Sequence, residues 1–160
     1  MAFNQSELKS LAADLIEEQS TMTLATASPQ GPWAAPVYYA FLESAFYFFS
    51  DPSSRHIEDS LESGQASAAI FVQASSWQKI RGLQMSGAVQ AVSVGTTAIK
   101  AVRAYLRKFP FTKEFFKPGD PIDLNAFANQ FRVRLYRFKP DLVYYLDNGI
   151  KFGFRERVHL

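Results

Sequence analysis

The apolar residues of this chain recur with two different periods, and the change from one to the other marks its elements. Near the N-terminus Leu8, Leu11, Leu15 and Ile16 share one helical face, while Glu7, Lys9, Asp14 and Glu18 lie elsewhere. Asn4 followed three residues later by Glu7 is a capping-box start, so a helix is predicted from there to near Gln19. Short β-favouring runs follow. Thr21 to Ala27 is bounded by the turn-forming segment Ser-Pro-Gln-Gly-Pro, and extended structure resumes at Trp33. Glu43 and Ser44 make a tight turn before the run Ala-Phe-Tyr-Phe-Phe-Ser, which ends at Ser50. These three strands read as a meander, and Pro36 within the second argues for an edge position or a bulge.

Arg55 to Glu62 is a short helix that Asp51, Ser53 or Ser54 can cap. Ala66 to Ala74 is a mostly apolar strand. Lys79 to Val92 is a long strand or strand pair, with Gly82 and Gly87 as bend points. Thr96 to Phe109 is the second clear helix, with Ile99, Val102, Leu106 and Phe109 as its apolar face. One or two short helices follow, broken by Pro118 and Pro121. The run Phe-Arg-Val-Arg-Leu-Tyr-Arg-Phe-Lys alternates but changes phase between Leu135 and Tyr136, which implies a bulge or a strand buried on both faces. Pro140 is expected to break it, and Asp141 to Asp147 to return as the last strand. The tail has two glycines and no clear period. The pattern therefore predicts six or seven mostly antiparallel strands with two main helices, in a single domain over residues 1–160. Strand spacing favours a small barrel, because closure removes exposed edges.

Composition narrows the chemistry. Nearly half of the 160 residues are apolar and fifteen are Phe, enough for one core. Lys and Arg exceed Asp and Glu by two, so no strong field favours nucleic acid or a membrane as partner. With no cysteine there is no thiolate nucleophile or thiolate metal site, and two histidines do not build a His-based metal site. No signal peptide or membrane span is evident, so a cytoplasmic location is expected. No phosphate-binding glycine loop, His-Glu-x-x-His or nucleophile elbow occurs. If the protein is an enzyme, a cofactor carries its chemistry.

Four stretches could form a site. Ser50, Ser53, Ser54, Arg55 and His56 stand where a strand gives way to a helix. Helix N-terminal amides, hydroxyls and a guanidinium are donors that suit a phosphate monoester, although a solvated cap with a surface arginine uses the same residues. Tyr38 and Tyr39 point to opposite faces of a strand, one for the core and one for a pocket. Trp77, Arg81, Gly82 and Gln84 come next; Gly82 would let a flat ligand approach the backbone, and Gln84 could bond a heteroaromatic edge. Last is the tail, where Gly149 and Gly153 flank Lys151 and Phe152 ahead of Arg155. It is either a pair of turns or an arm that reaches a ligand or partner.

Taken in order, Thr21 to Phe41, Phe46 to Leu61, Ala66 to Val72 and Ile80 to Val92 resemble the pyridoxamine 5′-phosphate oxidase-like family of FMN-binding split β-barrels. The ending Val143 to Glu156 resembles a branch of bacterial YhbP-like proteins. The resemblance implies a homodimer with FMN at the subunit interface, and an oxidoreductase of unknown substrate or, alternatively, a non-catalytic flavin or haem carrier or redox-sensing binder. It implies that Val37, Tyr38, Tyr39, Phe49, Ser50, Ser54, Arg55, His56, Trp77 and Gln84 contact the cofactor, with catalytic residues undefined. The family's flavin strand would run from Ala35 to Ala40, where the oxidases carry basic residues. His56 stands at the lysine of their phosphate motif. The oxidases' substrate-phosphate tyrosine and arginine are not both kept, since Tyr105 is followed four residues later by Phe109.

Overall fold

The computed structural model describes residues 3–115, 119, 121 and 123–160. Helix α1 (Gln5–Glu18) starts at Asn4 with a complete capping box. The Asn4 side chain accepts from the Glu7 amide at 2.9 Å, and the Glu7 carboxylate accepts from the Asn4 amide at 2.9 Å. Its inward face is Leu8, Ala12, Leu15 and Ile16. The chain continues through β1 (Thr21–Ser28), β2 (Gly31–Tyr38), β3 (Ala40–Leu42), β4 (Ala45–Ser50), α2 (Arg55–Ser63), β5 (Ala66–Phe71) and β6 (Arg81–Ala91). It ends with α3 (Thr96–Lys108), α4 (Leu124–Phe131), β7 (Arg134–Asp147) and β8 (Arg155–Arg157). Pro118, expected to break a helix, lies outside the described residues.

The strands form one antiparallel sheet in the order β2-β1-β5-β6-β7-β4-β3, with β8 added to β7. It is curled and flanked by helices, the split-barrel class. The eighth strand comes from the tail, where three residues gave no period to read. Two expectations need correction. The first three strands are not a meander: β1 with β2 and β3 with β4 form separate hairpins, and β2 and β3 lie at opposite ends of the order. Nor do hydrogen-bonded ladders close the barrel, because no ladder joins β2 to β3. The chain itself ties these two edges through Tyr39. Pro36 sits on edge strand β2, where a missing amide costs no ladder bond.

Pro140 does not end a strand. It lies inside β7, where the pairing with β6 passes from Ser86–Leu142 to Gly87–Pro140. Asp141 is the extra residue of a bulge, and its carboxylate accepts from the Ser86 hydroxyl at 2.9 Å. A bulge tolerates a proline that a regular ladder would not. Gly87 is required there: a Cβ would strike the backbone of Lys139 and Pro140. Gly82 likewise faces the neighbouring strand, with the Ile70 carbonyl 2.7 Å from where its Cβ would lie, so β5 rather than a ligand explains it.

The core has two parts. The interior of the curl holds the rings of Tyr39, Phe46, Phe48, Tyr136, Phe138 and Tyr145. A smaller cluster on the other face joins Ala45, Tyr47 and Leu135 to Ala98, Ala101 and Val102 of α3. The phase change at Leu135 and Tyr136 is therefore a strand buried on both faces: each residue feeds a different cluster. Helix α3 packs through alanines and Val102, with Leu106 partly buried against the same cluster and Phe109 buried at its C-cap; of the four residues of the expected face, Ile99 is the one exposed. Small side chains let the helix approach the sheet closely. At the end of α1 the Ile16 carbonyl accepts from both the Tyr39 hydroxyl (2.8 Å) and Lys108 Nζ (2.9 Å). Burial pulls the Lys108 pKa down to about 8, against a smaller upward pull from Glu17. Among the described residues, no helix is long and apolar enough to cross a membrane.

The bulge gives a direct test. Gly87→Ala is expected to cost about 2 kcal/mol or more, since the clash is with backbone and not with a movable side chain. Urea denaturation measures this; a loss under about 0.5 kcal/mol would show that the backbone yields there.

Candidate functional site

The junction between β4 and α2 gathers three polar side chains. Ser50 is the last residue of β4 and points to the same face as Phe48, where it is 8% exposed. The Ser50 hydroxyl is 2.7 Å from His56 Nε2 and 3.1 Å from the Ser54 hydroxyl, and Ser54 is 3.3 Å from the same imidazole nitrogen. The loop that makes this possible is fixed by Asp51. Its carboxylate accepts from the Ser53 amide (2.8 Å) and hydroxyl (2.7 Å), which hold its pKa below the usual range. Its carbonyl accepts from the Ser54 hydroxyl at 2.7 Å. Desolvation lowers the His56 pKa, so the ring is neutral near pH 7.

Ser54 is the N-cap of α2, but its hydroxyl does not cap the helix. It is turned to the Asp51 carbonyl, Ser50 and His56. Amides at the start of a helix have no partner within it. In α2 these uncapped amides lie beside two hydroxyls and an imidazole, groups that can reorient to donate to an anion such as a phosphate monoester.

Arg55 makes none of these contacts. Its Nη2 donates to the Gly31 carbonyl at 3.0 Å, its Nε meets the Asp59 carboxylate at 3.4 Å, and its guanidinium lies 4.7 Å from the centre of the Trp33 ring. Asp59 is buried and also accepts from Thr26 at 3.2 Å. Arg55 is thus anchored to the β1–β2 hairpin by protein groups, with its side chain 30% exposed. Sequence reading missed Thr26, Trp33 and Asp59. The i,i+4 spacing of Arg55 and Asp59 was available as a signal, as was the hairpin register that sets Thr26 opposite Trp33.

The other expected residues are dispersed. Val37 and Tyr39 are buried in the core, and the Tyr39 ring is committed to α1. Tyr38 is on the outside, edge-on to Phe109 and Phe111 at 5.5 and 6.3 Å. The Phe49 ring turns from the junction toward Tyr105 and Phe127. Trp77 stands in a one-turn 3-10 helix, edge-on to Phe152 at 5.6 Å, and both are largely exposed. Gln84 lies in a shallow groove of about 360 Å³ on the outer face of β1, β5, β6 and β7. Thr23, Ala69 and Tyr144 also line it, as does Arg155, which stacks 3.9 Å over the Tyr144 ring. The junction and this groove are separate features of one chain. No group of three or more acidic or histidine side chains suited to a metal occurs among the described residues.

The family model for pyridoxamine 5′-phosphate oxidase matches residues 8–146 of this curled split-barrel chain. The chain belongs to that family. Among named relatives, the UPF0306 protein YhbP of Salmonella arizonae is 25% identical over 127 residues, 78% of this chain and 75% of that protein. A haem-binding protein from Mycobacterium smegmatis superposes with a TM-score of 0.67 at 19% identity, over 92% of this chain and 57% of that one. An FAD-binding protein from Mesorhizobium loti gives 0.60 at 18%, over 84% of this chain and 90% of that one.

The Arg55 anchor yields a test independent of any ligand. Asp59→Ala leaves Thr26 and the guanidinium without their acceptor and is expected to cost about 2 kcal/mol by chemical denaturation. No measurable loss would mean that water replaces the carboxylate.

Proposed function

We propose that the protein binds FMN and serves as an FMN-dependent oxidoreductase, with Ser50, Ser54, His56 and the first amides of α2 holding the phosphate. The observation that carries this reading is the uncapped start of α2 beside the converging Ser50 and Ser54 hydroxyls and the His56 imidazole, in a chain of this family. Arg55 begins the same helix and contributes a fixed positive charge, and Asp59 sets its orientation. FMN supplies the redox chemistry when bound. The backbone of Val37 to Tyr39 and of Phe49 flanks its ring, because the side chains of Val37, Tyr39 and Phe49 are engaged elsewhere. Gln84 and Trp77 lie on another face, so their part in the site is assigned to a second copy of the chain in a homodimer. The substrate is a small molecule, and the compartment is the cytoplasm.

The donor set favours a weak phosphate grip. Ala35 shares the face of Trp33, against which Arg55 lies, and brings no charge where the oxidases have a basic residue. His56 is neutral at pH 7 because burial disfavours its cation. A second reading, a haem or flavin carrier, draws on this thinned charge and on the likeness to the Mycobacterium smegmatis haem-binding protein.

Absorption spectra of the purified protein, titrated separately with FMN and haem, distinguish the two. FMN is expected to bind, with Arg55→Ala weakening it about tenfold or more, or about 1.4 kcal/mol. A Soret band with no flavin binding favours the haem carrier. FMN bound without turnover of any acceptor under NADH or NADPH favours the flavin carrier.

The histidine generates a pH signature. Its folded-state pKa is depressed, so it gains charge only below its ordinary value of 6.5. His56→Lys should therefore bind FMN more tightly than wild type at about pH 7.5, by roughly tenfold, with the ratio shrinking toward about pH 5 as the wild-type ring protonates. The ligand's own titration cancels in the ratio. A ratio constant across that range would remove His56 from the phosphate contact.

A further inference from the structure

Opposite the face that carries Ser50, β4 presents Phe49 to a second space. Helix α4 lies over the outer face of β4, β6 and β7 and encloses a cavity of about 390 Å³. Its floor is Phe49, Val92 and Leu135, and its roof is Leu124 and Ala128. Two amides, Asn125 and Asn129, stand one helical turn apart on the same side of α4. Arg134 closes one end. A second space of about 390 Å³ continues from Ala128, Asn129 and Arg134 to Arg132, Asp51 and Ser53.

We propose that this cleft is a binding site for a small organic monoanion, an aromatic or branched aliphatic carboxylate, whose apolar body lies under α4 and whose polar end adjoins the β4–α2 junction loop. Three observations carry it. The volume is above the roughly 150 Å³ that a buried benzene needs, and it is within the range of small-molecule pockets. Its lining separates into an apolar body and a polar end, as an amphipathic ligand requires. The polar end is cationic. Arg132 and Arg134 face a single carboxylate, Asp51, which already accepts two bonds from Ser53. Among the described residues Arg134 forms no ion pair. Arg132 is the C-cap of α4, where a cation offsets the helix's carbonyl end. One negative charge completes this balance.

No residue of α4 is buried, although Phe127 packs edge-on to Phe49 at 5.0 Å. A ligand in the cleft would cover Leu124 and Ala128 from below and fix the helix on the sheet. Binding should therefore raise the melting temperature as well as occupy the site.

The test uses the full chain with 3-phenylpropionate and its uncharged amide, followed by calorimetric titration and thermal melting. The acid is expected to bind with a dissociation constant of about a millimolar or tighter, and the amide at least about tenfold more weakly. Ala128→Trp, which fills the cleft, should abolish acid binding without changing FMN binding. Arg134→Gln should bring acid and amide to equal affinity, and it keeps the proposal testable if the tryptophan variant fails to fold. Equal affinities of acid and amide for the wild type would overturn it. So would undiminished binding to Ala128→Trp, or no binding of the acid at about ten times a millimolar constant.

Discussion

The long ladder between β6 and β7 is the constraint on which the rest of the structure rests. It runs from Arg81–Asp147 to Ala91–Tyr136 and is interrupted once, where Asp141 is extruded opposite Gly87. Before the bulge, β7 pairs with β6 and receives β8. Beyond it, β7 also carries β4 on its other edge, and Ser50 falls opposite Arg134. Because side chains alternate with period two, one residue more or less in β7 would exchange its faces. Leu135 would leave the α3 cluster, Tyr136 would leave the interior, and the strand that ends in Ser50 would lose its register. The position of the β4–α2 junction is therefore fixed by a backbone irregularity some distance from it.

What could be read in the sequence was what short-range physics decides. The capping box at Asn4 and Glu7, the Glu43–Ser44 turn with positive φ at both residues, and the start of α2 at Arg55 follow from neighbours within four positions. The junction of Ser50, Ser54 and His56 was legible for the same reason. The remainder depends on partners far along the chain. Pro140 looked like a terminator because its tolerance comes from Gly87. On α3 Ile99 was misplaced, because Ala98 and Ala101 take the positions nearest the sheet. Arg55 was read as an anion contact or a solvated surface charge, because Trp33 and Gly31 reach it through a hairpin whose packing no local pattern reveals. Gln84 and Trp77 were matched with the junction residues, yet within one chain they occupy another face.

The two faces of β4 differ in their chemistry. Residues of even number from Phe46 to Ser50 face the interior and end in hydroxyl and imidazole donors. Residues of odd number face α3 and α4 and end in the Phe49 ring. Desolvation acts on the interior side: it keeps His56 neutral, and it raises the pKa of the Tyr136 phenol, where Arg134 and Asp51 exert opposite pulls.

Tyr39 has a further consequence. The free edges of β2 and β3 are tied by this one residue, whose hydroxyl is held by the last turn of α1 and whose ring carries the Lys108 ammonium at 4.1 Å. The width of the slit between those edges is consequently a matter of chain length at one point. Lengthening the tie by a residue would let the edges part while every ladder and both clusters stayed intact. Descendants of this fold could in this way admit broader guests without redesigning their interior.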